Sequence, residues 1–264
     1  VVLYSKLVRY NSTYMKLITL NTWAGRLKEP FEKFLKEKMS DTDIFCFQEI
    51  FNDLDEELET NIDERGRNKH ILKEITEILI DYNAYFCPVI ENVYGIAIFL
   101  KKGFEVIASG EVMLYENPAF TSTRDGVDHT RKMQWIHIKH GRKDVMIMNV
   151  HGHWSPEGRR DNENRIEQSK AIKSFIETTG NTPKIMVGDF NLLPETESIK
   201  MLEEHFINLI TKYNISTTWT ELAKENDKHA DYAFVSDEIL VEGFEALPDV
   251  VSDHVPLALQ FDVF

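Results

Sequence analysis

An α/β fold is predicted by three observations. Short apolar runs alternate with stretches of helical periodicity, Gly, Asn and Pro punctuate the joints, and polar residues gather where the apolar runs end. Continuous runs such as I-F-C-F at 44–47 and Y-G-I-A-I-F-L at 94–100 are expected of strands covered on both faces, which calls for helices layered over a sheet. No Pro/Gly/Ser-rich linker, low-complexity tract or fixed-period repeat divides the 264 residues, so one domain is expected over 15–264. Residues 1–14 precede Met15 without the long apolar core of a signal peptide and are expected to be a tag or a short extension.

Taken in order, M-K-L-I-T-L-N-T at 15–22 predicts a strand that presents Asn21 at its end, followed by Trp23 and Gly25. Pro30 near the start, and Phe31, Phe34 and Leu35 at three-and-four spacing, predict an amphipathic helix over 29–39. The next strand, 43–48, delivers Gln48 and Glu49 at its exit, whereas the acidic run at 53–59 reads as a solvated face. Ile71, Leu72, Ile75, Ile78 and Leu79 give a helix over 67–80, and strands follow at 84–89, 94–100 and 105–114.

Alternation at 133–139 and the run V-M-I-M-N-V that leads into His151 predict a hairpin turning at His140 and Gly141. A helix over 159–176 would face Ile166, Ser169, Ile172 and Phe175 or Ile176 inward, with Arg165 and Gln168 either near the strand ends or on the surface. The apolar run 185–187 predicts a strand stopping at Gly188. A helix at 195–205, a turn at 217–219, a strand at 230–235 and a last strand held back by Pro256 complete the chain.

With 44 acidic against 30 basic residues the net charge is −14, which repels polyanions at long range and argues against non-specific duplex binding. Locally, 121–143 holds Arg124, Arg131, Lys132, Lys139, Arg142 and Lys143. Apolar stretches such as 94–100 are too short to span a bilayer, and the two cysteines, Cys46 and Cys87, sit in apolar contexts with no disulfide framework. A cytoplasmic, reducing location and a monomer are expected.

Several polar groups cluster at predicted strand ends, where open α/β sheets collect ligands. In G-D-F-N, Asp189 offers a carboxylate and Asn191 an amide two residues on, so in extended chain both share a face. Glu49 at the exit of a buried strand, and Asp231 among the apolar residues of A-D-Y-A-F-V, both require a partner, a metal or solvent. His151 and His153 stand two apart without the further ligands that zinc needs, so donation to a phosphoryl oxygen is the better reading of His151. Hard oxygen ligands for Mg2+ or Mn2+ in Glu49 and Asp253, a base for water, and donors to phosphoryl oxygens together make a phosphoester hydrolysis kit.

The ordered series L-N-T-W, F-Q-E-I, Y-G-I-A-I-F, N-V-H, G-D-F-N, D-Y-A-F-V-S and S-D-H-V-P-L, spanning Asn21 to Leu257, resembles the endonuclease/exonuclease/phosphatase (DNase I-like) superfamily. That resemblance implies a four-layered α/β sandwich, two central mixed β-sheets flanked by helices, that cleaves a P–O bond with Mg2+ or Mn2+. It implies Glu49, Asp253 and Asn21 at the metal, Asp189 orienting or deprotonating water, and Asn191 and His151 on the phosphate. His254 supported by Asp231 would serve proton transfer or charge stabilisation. Apart from the resemblance, the residues themselves put Asn21, Tyr94, Arg131, His153 and Trp154 toward the substrate. Whether Asp189 or His254 is the base stays open.

The residues before the D-Y motif, His229 and Ala230, depart from the usual aliphatic pattern, and H-W-S-P-E-G after His151 lacks the signature of abasic endonucleases. The expected function is therefore a metal-dependent phosphodiesterase or phosphatase on a small or lipid-linked substrate. The alternative is a DNA or RNA nuclease using 121–143 and Trp154, and the third reading is an inactive binding module on the same scaffold.

Overall fold

The computed structural model describes residues 14–52, 66–117, 130–140, 143–224 and 226–264. Along the chain come β1 (Met15–Asn21), α1 (Lys28–Lys38), β2 (Ile44–Phe51), α2 (Ile71–Ile78), β3 (Tyr82–Ile90), β4 (Tyr94–Lys101) and β5 (Glu105–Tyr115). Then follow β6 (Arg131–His140), β7 (Lys143–His151), α3 (Glu163–Thr178), β8 (Lys184–Asp189), α4 (Glu197–Glu203) and β9 (Ile207–Asn208). The last elements are α5 (Leu209–Lys212), β10 (Asp231–Val235), β11 (Ile239–Ala246) and β12 (Leu257–Val263).

The strands form two six-stranded sheets, ordered β11-β12-β1-β2-β4-β3 and β5-β6-β7-β8-β10-β9. Each is antiparallel except for a central parallel pair, β1 with β2 and β7 with β8, whose connections carry α1 and α3. Inward faces of both sheets meet in one apolar layer that includes Leu17, Cys46, Ile98, Ile147 and Val187. Phe31, Phe34, Leu35, Ile71 and Ile75 of α1 and α2 close over Ile18, Phe45, Phe47 and Phe99 on the outside of the first sheet. Ile172, Ile199, Leu202 and Leu209 of α3, α4 and α5 belong to the core built around the second sheet. The result is the four-layered α/β sandwich expected from the motif series, with two mixed sheets flanked by helices.

One polar bridge crosses the apolar layer between the sheets. Gln48 Nε2 donates to Asn149 Oδ1 at 2.6 Å, and Asn149 Nδ2 donates to the Phe47 and Ala97 carbonyls at 3.1 and 3.2 Å. Both side chains are fully buried, so these bonds are what makes two amides tolerable in that seam.

Several element boundaries differ from the sequence expectation, each for a local reason. Glu49 lies inside β2, not past its end. The pairing with β4 steps from Phe47–Ala97 to Ile50–Gly95, so β2 holds one extra residue there, a β-bulge with Glu49 at φ 59°. β8 likewise continues through Gly188 to Asp189, paired with His151 on one side and Asp231 on the other.

The helix expected over 67–80 begins only at Ile71, because Asn68 is used elsewhere: its backbone N–H donates to the Ala24 carbonyl and its Oδ1 accepts from the His70 N–H. The helix expected from 159 begins at Glu163, capped by Asn162, while Asp161 accepts from the N–H groups of Glu197 and Ser198 at the start of α4. Pro88 falls in β3, at the sheet edge, where a missing donor costs no ladder bond. The β6–β7 hairpin forms as expected, with His140 paired to Lys143. The strands β9 and β11 and the short α5 were not apparent in the sequence. The acidic run at 53–59 and residues 1–13 lie outside the described residues.

Candidate active site

Each parallel pair contributes a matched set of groups at the same end of the sandwich. In the first sheet Asn21 is registered with Gln48, beside Glu49, and in the second His151 is registered with Asp189. The two sets meet through one amide: Asn21 Nδ2 donates to Glu49 Oε1 at 3.2 Å and to Asp189 Oδ2 at 3.0 Å. Asn21 Oδ1 accepts from the Trp23 N–H at 3.0 Å, so both ends of this side chain are engaged and it braces the two carboxylates.

Asp189 is the centre of the cluster. Its Oδ1 accepts from the Asn191 N–H at 2.9 Å, and its Oδ2 accepts from Asn191 Nδ2 at 3.3 Å. Asn191 reaches back this way because it adopts φ 54°, a left-handed conformation, rather than the extended one the sequence suggested. Gly188, one residue before Asp189, has φ 132°, and a Cβ there would stand 2.1 Å from the Val150 carbonyl oxygen. Only glycine fits, which lets β8 run hard against β7 and sets His151 beside Asp189.

Two imidazoles flank that carboxylate, His151 Nε2 at 3.8 Å and His254 Nε2 at 4.0 Å from Asp189 Oδ2. Behind His254, Asp231 Oδ2 lies 2.8 Å from Nδ1, the partner that the sequence demanded for a buried aspartate. Burial alone would lower the His254 pKa, but the charge and hydrogen bond of Asp231, with help from Asp189 and Asp253, raise it above the ordinary histidine range. The imidazolium is therefore the favoured form, with Nε2 turned toward the cluster. Arg131 Nη1 lies 2.7 Å from that same nitrogen of His151, and since a guanidinium only donates, Nε2 is the acceptor.

The segment 217–220 straps the His254 corner together. Thr218 Oγ1 accepts from the N–H groups of Ala230 and Asp231, Thr220 N–H donates to the Asp253 carbonyl, and Val255 N–H donates to the Thr218 carbonyl. Trp219 lies on the His254 ring at 4.2 Å between centroids, and the Arg159 guanidinium covers the indole at 4.6 Å. Neither Arg159 nor Trp219 stood out in the sequence, since their relation to His254 exists only once distant loops pack together.

Glu49 and Asp253 present the carboxylates expected at a divalent cation. Burial raises the Glu49 pKa first and the charge of Asp253 raises it further, while burial also raises that of Asp253. Two desolvated carboxylates that repel one another are the chemistry a hard cation relieves, so the donor set fits Mg2+ or Mn2+. The tightest acidic and histidine grouping among the described residues is a different one, Asp189, Asp231 and His254. There His254 Nδ1 is already committed to Asp231, which makes it a hydrogen-bonded dyad beside a carboxylate.

The remaining expected residues divide. Tyr94 is buried against Phe51, 4.8 Å between rings, and its hydroxyl pKa stands well above the usual value, first through burial and then through the charge of Glu49, with Arg131 opposing. It borders the cluster. His153 turns away, its ring edge-on to Tyr115 at 4.5 Å and its Nε2 3.3 Å from Asn164 Nδ2. Trp154 is half-buried and makes no hydrogen bond or ring contact among the described residues.

Arg165 and Gln168, left open in the sequence, are buried: Arg165 Nε donates to the His153 carbonyl and Gln168 Oε1 accepts from the His153 N–H, so the two hold the loop after β7. Burial lowers the Arg165 pKa to about 10, and the neighbouring Arg159 charge adds to that while Asp189 opposes it.

The basic stretch 121–143 does not make a groove from its described members. Arg131 joins His151, Lys132 pairs with Glu111 and Lys143 with Asp262. Lys139 is exposed near the far end of β6, about 26 Å along the strand from Arg131 at the usual rise per residue. Arg124 and Arg142 lie outside the described residues.

A family model for the endonuclease/exonuclease/phosphatase family matches residues 18–254. No curated protein matches the chain in sequence. Among solved structures, an endonuclease/exonuclease/phosphatase family protein of Bacteroides thetaiotaomicron superposes with a TM-score of 0.73 at 19% identity, covering 96% of this chain and 98% of that one. The mannosyl-6-phosphatase of the same organism gives 0.72 at 19% identity, over 94% of this chain and 99% of its own. The human Nocturnin catalytic domain, with a bound sulfate anion, gives 0.64 at 16% identity over 95% and 94%. No helix among the described residues is long and apolar enough to cross a membrane. With its motif series and its four-layered sandwich in agreement, the chain belongs to the endonuclease/exonuclease/phosphatase family, whose members hydrolyse phosphoester bonds.

Proposed function

We propose that this protein hydrolyses a phosphodiester or phosphomonoester on a small or lipid-linked substrate, by in-line attack of a water held at Asp189. One observation carries the reading: the Asn21 amide ties Glu49 to Asp189 at 3.2 and 3.0 Å, with His151 and His254 on either side of the same carboxylate at 3.8 and 4.0 Å. Base, donors and hard oxygen ligands then surround one small volume, as phosphoryl transfer requires.

Asp189, oriented by Asn21 and Asn191, accepts the proton of the attacking water as its oxygen bonds to phosphorus. His254, kept protonated by Asp231, is a poor base and a good donor, so it gives its Nε2 proton to the leaving oxygen as the ester P–O bond breaks. Arg131, held in place by His151 Nε2, and the Asn191 amide donate to non-bridging oxygens. Glu49 and Asp253 would hold Mg2+ or Mn2+, which when bound supplies Lewis-acid stabilisation of phosphoryl charge.

The test is turnover of bis-p-nitrophenyl phosphate, p-nitrophenyl phosphate, sphingomyelin, inositol phosphates, and single- and double-stranded nucleic acids, each with Mg2+, Mn2+ or EDTA. Turnover that requires the divalent ion is expected. Activity undiminished by chelator would remove the metal, and plasmid degraded faster than every small ester would replace the small-substrate reading with a nuclease.

A further inference from the structure

The segment that carries Asp189 and Asn191 is fastened to the loop after β7 along its length. Gly152 N–H donates to the Asp189 carbonyl at 2.7 Å, Leu193 N–H donates to the Arg159 carbonyl at 3.0 Å, and Asn191 Nδ2 donates to the Gly152 carbonyl at 3.4 Å. Packing at Gly152 is equally close. A Cβ there would stand 2.4 Å from the Phe190 carbonyl oxygen and 3.0 Å from Gln168 Nε2, so the loop is pressed between G-D-F-N and α3 with room for glycine alone.

Two side chains of α3 grip that loop from its other side. Gln168 Oε1 accepts from the His153 N–H at 2.8 Å and Arg165 Nε donates to the His153 carbonyl at 3.1 Å, so both backbone groups of one residue are held. Arg165 Nη1 also donates to the Arg160 carbonyl, which ties the beginning of the loop to its end. Both side chains are fully buried, and a guanidinium taken so far from water is costly. Its acceptors are backbone carbonyls of a single loop, so the position of that loop is what the buried charge secures.

We propose that Arg165 and Gln168 are positioning residues for phosphoester hydrolysis: they fix the Gly152 carbonyl, and through it the Asn191 amide, where that amide meets the phosphoryl oxygens. The inference rests on the hydrolase reading above and adds to it two residues that act without touching the substrate. The contacts of Asn191 Nδ2, 3.4 Å to the Gly152 carbonyl and 3.3 Å to Asp189 Oδ2, are long for hydrogen bonds. They aim the amide and leave it able to turn a proton to a phosphoryl oxygen. Loosening the loop lets the amide rotate away, while Glu49 and Asp253, on other segments, stay in place.

Turnover of bis-p-nitrophenyl phosphate with Mg2+ by Gln168→Ala, Asn191→Ala and the double variant tests this route. Gln168→Ala is expected to lower kcat by about tenfold, the effect of one aimed hydrogen bond, with KM within about twofold of the unmodified protein. In the Asn191→Ala background the same substitution should lower kcat by less than about twofold, because the amide it aims is gone. Arg165→Met should follow the same pattern. Unchanged kcat in either α3 variant, or an equal loss in both backgrounds, overturns the proposal, since a merely structural contribution adds to the loss of Asn191.

Amide hydrogen exchange of the unmodified protein reads the grip without turnover or substitution. The N–H groups of Gly152, His153 and Leu193, bonded to Asp189, Gln168 and Arg159, are expected to open as one unit with a single free energy of opening. Opening of His153 or Gly152 independently of Leu193 overturns the proposal even where a variant fails to fold. Absence of turnover on every ester would sink the hydrolase reading, whereas the exchange measurement decides the grip separately.

Discussion

The two sheets solve the same problem by different means. Each sets a parallel pair at its centre and brings polar groups to the end of that pair, Asn21 and Glu49 from the first, His151 and Asp189 from the second. The first sheet reaches the site through a bulge and a left-handed Glu49, the second through Gly188, which lets two strands approach more closely than any side chain allows. Their surroundings differ as well. On the first sheet's side Lys69 and Arg67 lie over Phe51 and Arg26 over Trp23, while around the second sheet's cluster the arginines 131, 159 and 165 are buried. Even the helices differ: α1 and α2 start without a side-chain cap, whereas α3, α4 and α5 are capped by Asn162, Thr196 and Asn208. On the proposed mechanism the second sheet would hold the proton-transfer groups and the first would supply the carboxylate at the cation.

The largest effects should fall on the second sheet. Asp189→Asn or His254→Ala is expected to lower kcat by on the order of a hundredfold or more, at unchanged circular dichroism. Full activity in either would remove that residue's role. Glu49→Gln should cost about tenfold to a hundredfold, and here raising Mn2+ should recover part of the loss, while Asp189→Asn should gain nothing from added metal. A metal titration that rescued both variants equally would erase the distinction between the two sheets.

Stability probes sharpen the contrast further. Gly188→Ala adds a Cβ against the Val150 carbonyl at φ 132° and should cost about 3 kcal/mol in urea unfolding. Gln48→Leu or Asn149→Leu should each cost about 1–3 kcal/mol by stranding the partner amide, and the double variant less than their sum. Asn162→Ala should cost about 1 kcal/mol through the lost cap of α3. A cost near zero would count against the capped, rigid description of the second half.

Much of this was legible in the sequence because strand ends are local events. G-D-F-N, N-V-H and S-D-H announce polar groups after apolar runs, and the need of buried Asp231 for a partner follows from desolvation alone, which His254 answers at 2.8 Å. What stayed hidden depends on pairing between distant segments. Nothing in F-Q-E-I says that β2 is one residue longer than its partner, since a bulge is a relation between two strands. Arg159 and Trp219 reach His254 only through packing, and Asn68 shortens α2 because it is hydrogen-bonded to a loop more than forty positions earlier. His153, expected toward the substrate, has its ring edge-on to Tyr115 and its Nε2 3.3 Å from Asn164, a setting that depends on α3 and β5 and not on its spacing from His151.

The extra residue between Phe47 and Ile50 also bears on how such an enzyme can be lost or altered. Removing one residue there would let Phe47 and Ile50 pair with Ala97 and Gly95 as an unbroken ladder, so only one of Gln48 and Glu49 would remain and either the seam amide or the acid would be lost. Substitutions near this point keep both positions in the strand, and a deletion does not. Catalytic identity in this half of the molecule is therefore kept by a length as much as by the letters within it.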